Sequence, residues 1–356
     1  MLMLKKTIAA LSLLSILAAC QNDENPSQPE PKPRQDINLT RAEQEFMDKG
    51  TDFAFRFFDQ VCSTEKEKPN VFVSPLSASL CLSMITNGAT DNTLAEMQDV
   101  LGFPANTFSL DDLNNYNQKL TSALLDLDNT TQLGIANSIW IEEGFKVYDS
   151  FVDVNKKMYD AQVQELDFTS PTAKDVINQW CATQTNNCIK EVIQEIPADA
   201  RMYLINALYF KGIWKSQFDK SATGQDNFTN VDGSQQKVAM MNQTATFNYT
   251  QTDDFSIAEL PYGNEAFSMV ILLPSGDKTL DESLPSLNYE NWKQWSKNMV
   301  GKELQIKLPR FKVEYDKELE EDMIAMGMKD AFDAYKAKFA NMSGAELYIG
   351  LLQQDR

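Results

Sequence analysis

Histidine is missing from the chain altogether. Its absence excludes a Ser-His-Asp or Cys-His nucleophile and any zinc site of the H-E-x-x-H kind, because all of these need imidazole. Cysteine is scarce: the five present are Cys20, Cys62, Cys81, Cys181 and Cys188. No two of them form the C-x-x-C pair of a thiolate zinc site. There is neither a G-x-x-x-x-G-K-S/T loop nor a G-x-G-x-x-G turn, so nucleotide chemistry has no foothold. Positive charge is in deficit, with 32 Lys and Arg against 51 Asp and Glu and a formal net charge of -19. A phosphate backbone is held by clustered Lys and Arg, so no nucleic-acid partner is expected. A hydrolase without histidine would need a Ser-Lys or carboxylate mechanism, and no pair of acidic residues stands out. No cofactor, metal or catalytic residue is expected, and the chain does not read as an enzyme.

What is present begins with MLMLKKTIAALSLLSILAAC. Lys5 and Lys6 precede an apolar run from Ile8 to Ala19, too short and one-sided for a spanning helix, so residues 1–19 read as an export signal. Leu17-Ala18-Ala19-Cys20 resembles the bacterial lipobox, in which the cysteine sulfur is acylated; Cys20 is the expected lipid attachment. The following QNDENPSQPEPKPRQDIN is polar and proline-rich. It cannot form a core, and residues 20–38 would make a tether of roughly 50 to 60 Å at about 3.1 Å per residue. Asp23 and Glu24 resemble the tag that sends some Gram-negative lipoproteins to the outside of the outer membrane. More than one acyl chain makes such an anchor stable. A globular body is expected over residues 39–356, exported and held off a bacterial surface by a lipid anchor.

That body shows no second linker, repeat or low-complexity segment, which implies one domain. Helices and strands mix without strict βαβ alternation, favouring α+β over a doubly wound sheet. Thr40 to Glu43 is a capping box, with Phe46, Phe53, Phe57 and Val61 on one helical face behind it. Ser74-Pro75 opens a second helix with Leu76, Leu80 and Met84 on its core side. Thr93 to Glu96 is expected to cap a third, which stops at Gly102. QLGIANSIWI (132–141) alternates Leu133, Ile135, Ile139 and Ile141 on one face. RMYLINALYFKGIW (201–214) is nearly continuous apolar sequence and predicts a central strand covered on both faces. IAELPYGNEAFSMVILLPSG (257–276) predicts a hairpin turning at Gly263-Asn264. Asn206 lies inside the central run, where a buried amide must find hydrogen-bond partners.

Four segments taken together resemble the serpin family: NVFVSPLSASLCLSMITNGAT (70–90), INALYFKGIWKSQF (205–218), ELPYGNEAFSMVILLP (259–274) and LPRFKVEYDKELEEDMIAMGMKDAFD (308–333). They stand in order and span nearly the whole body. The resemblance implies three β-sheets with eight or nine helices and a metastable native state. In that family a reactive loop baits a protease, is cleaved at one bond and inserts as an extra strand in the largest sheet, consuming one inhibitor per enzyme.

Several positions carry over. Ser74 and Ser77 match serines at the start of the helix beneath the main sheet, and Asn206 matches the asparagine they help satisfy. Gln354 stands where many members carry a histidine, completing a polar cluster that governs sheet opening. Trp214 matches the tryptophan where loop insertion begins. Asn187 replaces the usual glycine at a left-handed position, which asparagine tolerates. Cys181 with Cys188, and Cys62 with Cys81, are pairs that an exported protein could oxidise, although Cys81 reads as a small core residue. LYIGLLQQDR (347–356) would begin the strand leading into the reactive loop. By resemblance that loop and the closing strands lie beyond Arg356, so the reactive bond is absent from these residues, and a truncated chain is expected to be inactive alone. A monomeric, surface-tethered inhibitor of a serine or cysteine protease is the expected function. A non-inhibitory binding module on the same scaffold, or a degraded gene product, is the alternative.

Overall fold

The computed structural model describes residues 30–230 and 232–355; the export signal and Cys20 lie outside the described residues. Regular structure runs α1 (Arg41–Thr64), α2 (Pro75–Thr86), α3 (Asp91–Leu101), α4 (Leu110–Asp126), β1 (Gln132–Glu142), α5 (Asp149–Tyr159), β2 (Gln162–Leu166), α6 (Ala173–Gln184) and β3 (Met202–Lys211). It continues with β4 (Gly224–Thr229), β5 (Gln235–Gln251), β6 (Phe255–Pro261), β7 (Ser268–Pro274), α7 (Leu280–Ser283), α8 (Tyr289–Lys297), β8 (Val300–Pro309), β9 (Asp316–Glu318), α9 (Glu320–Met326) and β10 (Gln353–Asp355). Among the described residues this is an α+β fold with nine α-helices and three sheets, as the sequence resemblance implies. No described helix is long and apolar enough to cross a membrane.

Local chemistry sets the helix ends. Thr40 and Glu43 make the reciprocal capping box, and Phe46, Phe53, Phe57 and Val61 are all buried. Gly50 sits inside α1, where a Cβ would meet only the Phe103 ring, at 3.9 Å. Gly50→Ala should therefore raise stability by roughly 0.5–1 kcal/mol by lowering chain entropy in the unfolded state; an unchanged or lower urea midpoint would contradict this. Ser74 caps α2, with Pro75 in its first turn. The third helix differs from expectation. It begins at Asp91 after Thr90, and Thr93, fully buried inside it, accepts the backbone N–H of Lys338 at 3.0 Å. Gly102 ends it at φ +86°, and Asn187 takes the left-handed conformation, φ +61°. Residues 30–38 have no regular structure, yet Lys32 reaches the end of α4, donating its backbone N–H to Asn129 Oδ1 (2.8 Å) and pairing Nζ with Asp126 (2.7 Å). The body thus begins nearer Lys32 than residue 39.

The first sheet has the order β2-β1-β3. Its pleat sorts side chains onto two cores. Ile135, Ile139 and Ile141 of β1 and Met202 and Leu204 of β3 face the core of α1 to α5. Trp140, Tyr203, Ile205 and Ala207 face the opposite core, under α6. A second sheet joins β4, β5, β6 and β7, with β8 also on β5. The expected hairpin is formed by β6 and β7, paired from Phe255↔Pro274 to Pro261↔Ser268. The third sheet is the short antiparallel pair β10-β9.

Cys62, Cys81, Cys181 and Cys188 are all free thiols, so neither of the two possible pairs is bridged in this structure. Burial pushes the Cys62 thiol up to about 11 and the Cys81 and Cys181 thiols up to about 12. Only thiolates attack electrophiles, and Cys188 is the exposed one of the four. Of these four, Cys188 is expected to react first with a thiol reagent at pH 8; faster modification of Cys81 or Cys181, mapped by peptide mass, would contradict the burial described.

Candidate functional site

The apolar run at 201–214 predicts a central strand covered on both faces. In the structure β3 is covered on its faces, with α2 beneath and α6 above, but it has a single strand neighbour. β1 pairs along its whole length, from Gln132↔Lys211 to Ile141↔Met202. The other edge of β3 carries no strand among the described residues.

β10 is tied to α2, the helix that lies beneath β3. On the lower side, Cys81 of α2 donates to the Leu204 carbonyl of β3 (Sγ to O, 3.6 Å), while Ser74 at the start of the same helix holds Gln354 of β10. The Ser74 N–H donates to Gln354 Oε1 (2.8 Å), and Gln354 Nε2 returns a bond to the Ser74 carbonyl (3.0 Å). On the upper side, α6 packs on β3, and the Asp355 carboxylate of β10 adds to burial in raising the pKa of Cys181 on α6. β3 and β10 are thus both bonded to α2 but are not paired with each other among the described residues.

The four residues expected to form one polar cluster divide into two groups. Ser74, Ser77 and Gln354 stay together, Ser74 Oγ accepting the Ser77 N–H at 3.4 Å. Asn206 makes no hydrogen bond to either serine among the described residues. Its register partner is Asn137, on the same sheet face, and Asn206 Nδ2 donates to Asn137 Oδ1 at 2.8 Å. The remaining atom, Asn206 Oδ1, is buried with no partner among the described residues.

From Asn137 a chain of bonds runs into the helices. Asn137 Nδ2 donates to the Tyr159 carbonyl (2.7 Å), and the Tyr159 hydroxyl donates to Asn114 Oδ1 (2.7 Å) while accepting Asn117 Nδ2 (3.3 Å). Asn114 and Asn87 exchange amide bonds at 2.8 and 3.1 Å. Burial pushes the Tyr159 phenol up to about 12, so it remains a donor at every physiological pH. Sequence reasoning missed this chain, although a signal was present: Asn137 occupies the one gap in the inward series Leu133, Ile135, Ile139, Ile141.

Trp214 lies just past β3 and pairs with Tyr262 in an isolated antiparallel bridge. The rings stack at 4.3 Å with 17° between planes. Flanking backbone bonds, Lys215 N–H to Pro261 O (3.0 Å) and Gly263 N–H to Ile213 O (2.8 Å), join this point to the β6-β7 turn. A Cβ on Gly212 would lie 2.6 Å from the Tyr262 ring, so glycine is what lets the aromatic pair close. The importance of Tyr262 and Gly212 arises only from this long-range approach, which no local sequence pattern marks.

The family model for serpins (serine protease inhibitor) matches residues 48–355. Serpin B6 of Macaca fascicularis is 36% identical over 291 residues, covering 79% of this chain and 76% of its own. Among solved structures, the thermophilic serpin tengpin is similar in its latent state, with TM-score 0.80, 31% identity and coverage of 90% of this chain and 85% of its own. Its native state is similar to nearly the same degree, with TM-score 0.79 and 29% identity over 92% of this chain and 82% of its own. The fold and these matches together establish that the chain belongs to the serpin family.

Proposed function

We propose that this protein is a protease inhibitor that acts by strand addition, exported and held at a bacterial cell surface through an acylated Cys20. The observation that carries the reading is the vacant edge of β3, with β10 fastened to the same helix, α2; we read the space between β3 and β10 as a slot for a strand. A strand entering it would pair the vacant edge of β3, converting unpaired backbone groups into a ladder. That gain can drive an irreversible change of shape in which a protease attached to the entering strand is carried along.

Each expected site residue has a role in this reading. Ser74, Ser77 and Gln354 fasten β10 to α2 and set the resting width of the slot. Asn206 presents a bare buried acceptor beside it, where an incoming N–H would remove a penalty of roughly 1–3 kcal/mol. Trp214 closes the end at which insertion starts. The protein acts as a consumed partner rather than a catalyst, and its target is a serine or cysteine protease.

The test is to express the gene from Cys20, with whatever reading frame follows Arg356, and to mix the product with trypsin-like, chymotrypsin-like and elastase-like proteases and a papain-like one. A one-to-one complex that survives SDS is the expected result. Clipping of the protein by every enzyme without such a complex would leave the binding-module reading standing instead.

A further inference from the structure

We infer that a cavity between α1, α2 and α4 is a binding site for a small, largely apolar molecule carrying one hydrogen-bonding group. Its volume is about 270 Å³. Interiors pack with few voids larger than a water molecule, and an engineered apolar cavity of about 150 Å³ is enough to take benzene.

The cavity follows from the sequence of the facing helices. Gly50 and Ala54 on α1 oppose Ser79 and Ser83 on α2, so small side chains meet where large ones would interlock. The helices cannot close over the gap, because an aromatic wedge holds this corner open: Phe46 stacks on Tyr116 at 5.2 Å and packs on Phe103 at 5.1 Å. Leu120 and the half-exposed Thr51 lie toward the surface, which gives a way in. Ser83 and Asn117, both buried, bring polar atoms to the inner end.

These walls select a ligand class. Water needs two to four polar partners to stay in a cavity, and elsewhere in the lining the Thr51 and Ser79 hydroxyls already donate to the Met47 and Leu76 carbonyls. A bicyclic phenol has a body suited to the apolar wall and a hydroxyl for Ser83 or Asn117. Asn117 is also bonded to Tyr159, so an occupant would sit at the far end of the amide chain that leads to Asn206. Binding itself does not depend on the protein being an inhibitor.

Calorimetric titration of the mature protein with 1-naphthol, and with naphthalene as the analogue lacking the hydroxyl, tests this. Saturable one-to-one binding of 1-naphthol is expected, with naphthalene weaker by about threefold to tenfold, the worth of one hydrogen bond. Ala54→Leu fills the cavity and should weaken 1-naphthol by at least about tenfold while still melting cooperatively. If that variant does not fold, Gly50→Ala carries the same test, since its Cβ meets one atom at 3.9 Å. Absence of saturable binding, equal affinity for the two probes, or unchanged affinity in a folded filled variant would each overturn the inference.

Discussion

Replacing Gly263 with alanine is expected to destabilise the protein by roughly 3–5 kcal/mol, the range found when a buried charge loses its partners. Gly263 adopts φ +38°, and a Cβ there would lie 2.1 Å from both Asp128 Oδ2 and Thr130 Oγ1. Neither neighbour can withdraw cheaply. Asp128 is only 4% exposed and accepts bonds from the Thr130 N–H and hydroxyl (2.8 and 2.7 Å), the Thr131 hydroxyl (2.8 Å) and the Asn264 N–H (3.4 Å). Asn264 in turn donates to the Leu127 carbonyl at 2.7 Å. This knot ties the α4-β1 connection to the β6-β7 turn, beside the Trp214-Tyr262 stack. Burial alone would raise the Asp128 pKa, but the bonds from Thr130, Thr131 and Asn264 outweigh it and hold the carboxyl below its ordinary 3.8. A depressed folded pKa contributes stability that is complete above the unfolded value and is lost as pH falls through the folded one. The deficit of Gly263→Ala should thus be full at pH 7 and shrink in acid below the ordinary value. Urea unfolding at both pH values measures it, and a difference under about 1 kcal/mol at neutral pH would contradict the geometry.

Asn137→Leu is expected to cost roughly 2–4 kcal/mol, because it strands two buried partners at once. The Tyr159 carbonyl loses its donor and Asn206 Nδ2 loses its acceptor. Asn206 Oδ1 is already unpaired, so the whole carboxamide would then be bare next to the slot. The double variant Asn137→Leu/Asn206→Leu removes the stranded amide as well. It should be less destabilised than the sum of the two single changes by about 1 kcal/mol or more, as residues sharing one network are. Strict additivity in that cycle would show that the amide chain does not couple the two strands.

Much of this molecule was legible in its sequence, for identifiable reasons. The capping box at Thr40 and the Ser74-Pro75 start are local chemistry, so α1 and α2 begin where expected. Alternation in 132–141 and the turn at Gly263-Asn264 likewise fix β1 and the β6-β7 hairpin. Thr93 misled because a threonine followed by Glu96 has the form of a capping box, while its hydroxyl is engaged by Lys338, far along the chain. The site was half legible. Ser74 and Gln354 do meet, but the partner of Asn206 could not be read from its own apolar stretch. It depends on the β1-β3 register, a long-range fact. The vacancy beside β3 was hidden for the same reason, since a strand covered by helices on both faces reads as apolar whether or not its second edge is paired.

The vacant edge is the centre of the account, and residue-resolved amide hydrogen exchange across Met202–Lys211 tests it most directly. In an antiparallel pair, alternate residues direct both backbone groups to the same neighbour. With β1 the only strand partner among the described residues, every second amide of β3 should be strongly protected and those between should exchange far faster. The fast set should become protected once a strand has entered the slot. Uniform protection of all these amides in the resting protein would mean that the edge is already paired and that there is no slot for a strand to enter.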